Sequence, residues 1–322
     1  MWFANVFNSS LELGLIYIVL ALGVYIAFRV LDIADLGAEG VFPLGAATCL
    51  LFCSMGIPCE VAMILSFIIG GIMGCFTGFL HTKLKIPSLL AGIITMVCCT
   101  PLVQLVNAWA GKFINGTYSS PFLGQMAWPT GTRTIYTLFQ KTCGIGEWGI
   151  ILTLLLFVVI LCFVLYWFFG TKLGISIRAT GKNKIMARAQ SIDTDSTIIL
   201  GLALSNAIIA LSGALFVQFV KLSDSTAGIG TIVIALGSIL LGEAIIGQRS
   251  FKLALVSVCL GGFIFQFILQ MIISALPNPG YTKLFQALLF VLILCIPLVK
   301  NRINTHTKKK KSLEEIKHAI NQ

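Results

Sequence analysis

The chain has 322 residues, of which 57% are hydrophobic and 11% charged, with a mean hydropathy of +0.98. Soluble domains carry about a quarter charged residues, so these values exclude an ordinary soluble domain and indicate an all-α polytopic membrane protein. Continuous rather than alternating apolar runs argue against a β-barrel, and the net charge of +10 is no nucleic-acid signal, because the cations collect at the ends of apolar runs as membrane topology requires.

Nine apolar runs lie at about 11–28, 36–55, 60–80, 87–108, 148–169, 196–220, 229–247, 252–274 and 281–299, each close to the ~20 residues of a bilayer crossing. The start, MWFANVFNSS, lacks a basic n-region, so the first run is expected to be an uncleaved helix. Between the first two runs, RVLDIADLGAEGVFPLGA places Asp32, Asp35 and Glu39 among Gly37, Gly40, Pro43 and Gly45. Two readings stay open there: a broken-helix turn beside a translocation path, or an ordinary cytosolic turn with Asp35 capping the next helix. Arg29 is a possible partner for one of these acids.

The third run carries Gly70, Gly74 and Gly78 at i, i+4, i+8, one helix face suited to close backbone approach. Gln104 and Asn107 in the fourth run, Asn206 and Gln218 in the sixth, and Gln266 and Gln270 in the eighth are either solute contacts or interhelical hydrogen bonds. The segment 109–147 is rich in Gly, Pro, Ser and Thr and carries Trp109 and Trp128, with Trp148 just beyond it. It reads as an extracytoplasmic loop with interfacial tryptophan anchors.

The next feature is a basic insert, GTKLGISIRATGKNKIMARAQSIDTD, residues 170–195, with five cations: Lys172, Arg178, Lys182, Lys184 and Arg188. Placing it in the cytosol and alternating outward puts 17 of the 22 Lys and Arg residues on the cytosolic side and 5 outside. That partition predicts about nine transmembrane helices, the N-terminus outside and the C-terminus cytosolic. Within the insert Asn183 is an N-cap for a short helix over about 184–191, Ala187 and Ala189 keep it slim, and Arg188 gives it a charged face. It reads as a docking helix for a cytosolic partner, or as a positive-inside loop with a surface helix. Glu243, in SILLGEAIIG, is either a site carboxylate or the partner of Arg249 or of an insert cation. Residues 1–300 thus form a membrane domain. The tail 301–322 is a basic cluster held near anionic lipid, followed by a short helix with Ser312 and Glu315 at capping-box spacing.

Chemistry-bearing motifs do not appear. The sequence has no GxxxxGKS/T, no HExxH and no Ser/His/Asp grouping, so neither nucleotide binding of the usual kind nor hydrolysis is expected of it. Most of its ten cysteines lie inside apolar runs as small hydrophobes, without metal-ligand spacing. Cys53 and Cys59 could pair at one helix end, but the sequence has no secreted-type cysteine framework to favour it.

LGISIRATGKNKIMARAQSI resembles the LG…RAxGxNxxxAR loop of ABC-importer permeases of the branched-chain amino-acid and ribose type. ALGVYIAFRVLDIADLGAEGVFPLGAA and STAGIGTIVIALGSILLGEAIIG resemble two further stretches of that family. The three occur in the family's order, and the likeness covers about Leu13 to Ile296. It implies a bacterial inner-membrane permease that pairs with a second permease copy around a central path. A cytosolic ATPase dimer would hold the ATP and Mg, this chain carrying no cofactor, and an extracytoplasmic binding protein would deliver substrate. The implied coupling residues are Arg178, Ala179, Gly181, Asn183, Ala187, Arg188 and Ile192. Candidate path residues, read from the polar side chains in and beside the apolar runs, are Asp32, Asp35, Glu39, Gln104, Asn107, Asn206 and Glu243. The chain departs from ribose-type permeases in lacking an extra N-terminal helix and in its acidic AEG turn. LDIADLGAEG with LLGE is similar to the branch associated with tryptophan and other aromatic amino acids. Nucleosides, sugars, or a self-contained secondary transporter or channel are the alternatives.

Overall fold

The computed structural model describes residues 2–115, 124–129, 132–137, 148–247, 250–275 and 284–293. Helix α1 (Trp2–Tyr25) runs into a π-helical turn (Ile26–Val30). It is followed by α2 (Ala38–Ser54), α3 (Cys59–Thr82), α4 (Ser88–Asn115) and the short strand β1 (Gln125–Ala127). Next come α5 (Trp148–Phe168), α6 (Lys172–Lys182), α7 (Lys184–Ala189) and α8 (Thr194–Val220). Strand β2 (Leu222–Asp224), α9 (Thr231–Ile246), α10 (Phe251–Ala275) and α11 (Leu284–Ile293) complete the order. The tail 301–322, with Ser312 and Glu315, lies outside the described residues.

Among the described residues six helices are long and apolar enough to cross a membrane: Val6–Val30, α3, α4, α5, α8 and α10. The apolar runs expected at about 36–55 and 229–247 appear as the shorter apolar helices α2 and α9, and the described part of the run at about 281–299 is helix α11. For α2 the cause is visible. The chain reverses after Val30, the amide of Ile33 donates to the Ala27 carbonyl at 2.9 Å, and Asp35 reaches Asn206, midway along α8. Helix α2 therefore starts level with the middle of its neighbour.

Helix α8 is the centre of the fold, with α1, α2 and α3 packed around it. The α3 face carrying Gly70, Gly74 and Gly78 meets its backbone. A Cβ on Gly74 would fall 2.3 Å from the Leu202 carbonyl oxygen, and one on Gly70 2.6 Å from that of Asn206. Any side chain there would force the two helices apart. Ser205 donates to the Gly23 carbonyl and Ser212 to that of Ile16, both at 2.8 Å, tying α1 to α8. Such interhelical bonds contribute about 0.6–2 kcal/mol each in lipid, where burial of apolar area drives little. Helix α5 has the opposite character, with Phe163 70% and Trp167 66% exposed, a face suited to lipid.

The helical class carries one exception. Strands β1 and β2 pair antiparallel, Met126 opposite Ser223, and the Trp128 amide donates to the Lys221 carbonyl at 2.9 Å. Trp128 is buried here rather than anchored at an interface, while Trp109 and Trp148 are exposed. Cys53 and Cys59 face each other as free thiols, their sulfurs 3.5 Å apart.

Candidate functional site

Two features stand out: the turn formed by α6 and α7, and a set of buried polar residues around α8. The turn is built from local capping. Thr171 caps α6, its hydroxyl accepting from the Gly174 amide. Asn183 then takes an extended conformation, φ −159° and ψ 103°, which breaks the helix. Its side-chain oxygen accepts from the amides of Ile185 and Met186, at 3.0 and 3.1 Å, and starts α7. The Ile192 amide closes back on the Ala187 carbonyl at 3.1 Å. Asp193 begins α8 by accepting from Asp195 and Ser196. Its carboxyl is held below the ordinary range, first by the Ser196 hydroxyl and then by these helix-start amides.

The turn is braced on the helices behind it. Gly181 lies against the end of α1, where a Cβ would fall 1.9 Å from the Val30 carbonyl oxygen. Thr180 and Thr197 share a hydrogen bond of 2.9 Å between α6 and α8. Arg178 stacks its guanidinium 5.0 Å over the Phe251 ring of α10. Ala179 receives the Asn183 amide, and Ala187 is buried. Arg188 bends back, donating from Nε to the Thr194 hydroxyl at 2.8 Å and pairing with Asp195 at 3.3 Å. The outward side of α7 presents two apolar side chains, Ile185 82% and Met186 60% exposed, flanked by the exposed Lys184 and Arg188. Sequence reasoning missed both residues, as it missed α6. The available signal was two adjacent apolar side chains in the first turn after a cap, in an otherwise polar segment.

The polar residues proposed from the sequence for a path do not converge on one place. Asp35 and Asn206 do meet. The carboxylate accepts from the Gly37 amide and from Asn206 Nδ2, each at 2.8 Å, so it both shapes the entry to α2 and binds α8. Asn206 Oδ1 is buried, with no partner among the described residues. Glu39 accepts from the Gly230 amide at 3.0 Å, joining α2 to the start of α9. Asn107 sits near the β ladder, receiving the Ser223 hydroxyl at 3.0 Å and donating to the Gly124 carbonyl. Gln104 is half-buried and Asp32 exposed. Gln218 bridges elements, accepting from the Ile135 amide and donating to the Cys49 sulfur. Glu243 pairs with Arg29, which corrects two expectations. Arg29 does not pair with Asp32, Asp35 or Glu39, and Glu243 is not held by an insert cation. Arg249 lies outside the described residues. No group of three or more His, Cys, Asp or Glu that could hold a metal occurs among the described residues.

A family model described as the permease component of branched-chain amino-acid transport systems matches residues 6–296. The chain belongs to this permease family. It is a multi-pass membrane subunit of a transport system, residing in the bacterial inner membrane, and not an enzyme. A tyrosine transport system permease protein of Clostridioides difficile (strain R20291) is 32% identical over 286 residues, 89% of each chain. An uncharacterized protein of Rickettsia prowazekii (strain Madrid E) is 28% identical, covering 82% of this permease and 87% of the relative. The autoinducer 2 import system permease LsrC of Yersinia pestis (strain Pestoides F) is 26% identical, covering 74% of this permease and 61% of that protein. No solved structure matches the permease.

Proposed function

We propose that this permease is the membrane subunit of an ATP-driven importer for a small solute, an amino acid of the aromatic or branched-chain class, received from an extracytoplasmic binding protein. The observation that carries the reading is the α6–α7 turn. A docking element must offer an apolar knob and stand on rigid supports. Ile185 and Met186 are that knob, and the supports are α1 through Gly181, α8 through Arg188 and α10 through Arg178. A cytosolic ATPase dimer that closes on ATP would press on the tip. Two permease copies would then shift against each other as bodies, with Ala179, Asn183, Ala187 and Ile192 holding the shape of the turn. In this reading the chain crosses the membrane about nine times, its N-terminus outside, and the turn lies in the cytosol. Asp35 and Asn206 stand beside the path, and a homodimer is the simplest assembly.

Likeness to a tyrosine transport permease over 89% of the chain favours an amino acid. Likeness to an autoinducer 2 permease supports a second reading, a sugar-like solute on the same machinery. The test is reconstitution of the permease with its ATPase and binding protein in vesicles, measuring uptake of labelled tyrosine, leucine and ribose. ATP-dependent uptake of an amino acid is the expected result. Uptake by the permease alone, driven by an ion gradient, would overturn the ATPase-coupled mechanism. ATP-driven uptake of ribose alone would overturn the substrate class.

A further inference from the structure

A cavity lies where the end of α1, the side of α6 and the start of α10 converge. Its volume is about 230 Å³, and Tyr25, Arg29, Arg178, Lys182, Ser250 and Phe251 are among its lining residues. Three of these are cations, and among the described residues no carboxylate lines the space. The charge of Arg29 is offset by Glu243. Arg178 has an aromatic neighbour, Phe251, and among the described residues neither it nor Lys182 has an acidic partner. Ser250 heads the 25-residue helix α10, its oxygen accepting from the Leu253 amide at 3.4 Å. The positive end of a helix dipole therefore adds to the charges already there.

We infer that this cavity binds a phosphate group. Two uncompensated cations, a hydroxyl and a helix start suit a tetrahedral oxyanion, which takes several donors at once. A carboxylic acid would use fewer of them, and a neutral solute would leave the cations unpaired. The volume is below the ~300–1,000 Å³ of sites that enclose drug-sized ligands. A free phosphate or a glycerophosphate headgroup fits, and a nucleoside triphosphate does not. Tyr25 and Ser250 stand at the ends of two apolar spans, where the headgroup layer meets water, so lipid and free phosphate both reach this level. The inference rests on the cavity's charge and shape and is independent of the transport reading.

The experiment is calorimetric titration of delipidated full-length permease in neutral detergent. The probes are dihexanoyl phosphatidylglycerol, dihexanoyl phosphatidylcholine and inorganic phosphate. Saturable binding of phosphatidylglycerol, at least tenfold tighter than of phosphatidylcholine and with no binding of inorganic phosphate, assigns the site to anionic lipid. Saturable binding of inorganic phosphate assigns it to the free anion. In either case Lys182→Gln and Arg178→Gln should each weaken binding about tenfold. Lys182 is exposed, so its variant keeps the test decisive should Arg178→Gln fail to fold. Absence of saturable binding by all three probes, or wild-type affinity in Lys182→Gln, overturns the inference.

Discussion

Arg29 donates to the Glu243 carboxylate from Nε, at 2.7 Å to Oε1, and again from a terminal nitrogen, joining residues 214 positions apart. The pair locks the end of α1 to the end of α9. Its side chains are 35% and 11% exposed, so solvent screening trims the gain while Glu243 loses much if left alone. Glu243→Gln or Arg29→Gln is expected to cost about 1–2 kcal/mol, read as a lowered thermal midpoint in detergent. The double variant should lose clearly less than the sum of the singles. Strictly additive losses would show that the two groups act independently.

The tip of α7 gives a sharper functional test. Ile185→Asp places a charge on a residue that touches little of its own chain, so insertion and thermal midpoint should stay near wild type. Transport and permease-stimulated ATP hydrolysis should fall by at least tenfold. Arg188→Gln is expected to act differently, loosening the α7–α8 corner and lowering stability together with activity. Full uptake by Ile185→Asp would place the ATPase contact elsewhere.

Close backbone approach makes two glycines intolerant. In Gly181→Val the new side chain must displace the Val30 carbonyl, and in Gly74→Leu it must displace Leu202. Overpacking of this kind costs about 1–3 kcal/mol or more. Both variants should show reduced monodisperse yield on size-exclusion chromatography. Gly56, whose added Cβ would meet nothing within 4 Å but whose φ is +85°, is the contrast: Gly56→Asn should be well tolerated because asparagine adopts that region. Equal loss in all three would remove packing as the explanation.

The start of α8 should respond to acid. Asp193 is depressed below its ordinary value of 3.8 by Ser196 and by the helix-start amides. A depressed carboxyl contributes stability that is fully present above the unfolded-state value. It is lost as pH falls through the lower folded-state value. Wild type should therefore show a constant cap contribution from neutral pH to about 5 and a decline below 4. Asp193→Asn keeps an acceptor and should remove that part of the acid dependence. Hydrogen exchange of the Asp195 and Ser196 amides, followed against pH, reads this directly. An acid profile unchanged by the substitution would assign the dependence to another group.

The sequence was most legible where structure is local. Asn183 and Asp193 act on amides two or three residues away, and cap chemistry of that range is written in the residue types themselves. The six long apolar helices were equally readable, because a bilayer-length run tolerates few other interpretations. The short start of α2 was not, since Asp35 is drawn inward by Asn206, 171 positions away. The direction of Arg188 was also hidden. Its side chain stays 67% exposed, yet α8 supplies Thr194 and Asp195 as partners that a basic loop does not announce. Ile185 and Met186 illustrate the reverse problem, since apolar side chains are assigned to cores by default. The scatter of Asp32, Glu39, Gln104, Asn107 and Glu243 over separate places follows from the same limit. Polarity within an apolar run signals a partner but does not say which one.

Helix α8 carries the braced turn at one end and the β ladder at the other, within 27 residues that contain no proline. At 1.5 Å per residue this is a rod of about 40 Å, gripped along its length by the small-residue face of α3. A displacement imposed at Asp193 has no hinge in which to dissipate before it reaches Lys221. The segment around Gln125 is strapped to that far end and must travel with it. A pair of spin labels, one beside Ile192 and one beside Ser225, would therefore keep a fixed separation through a transport cycle.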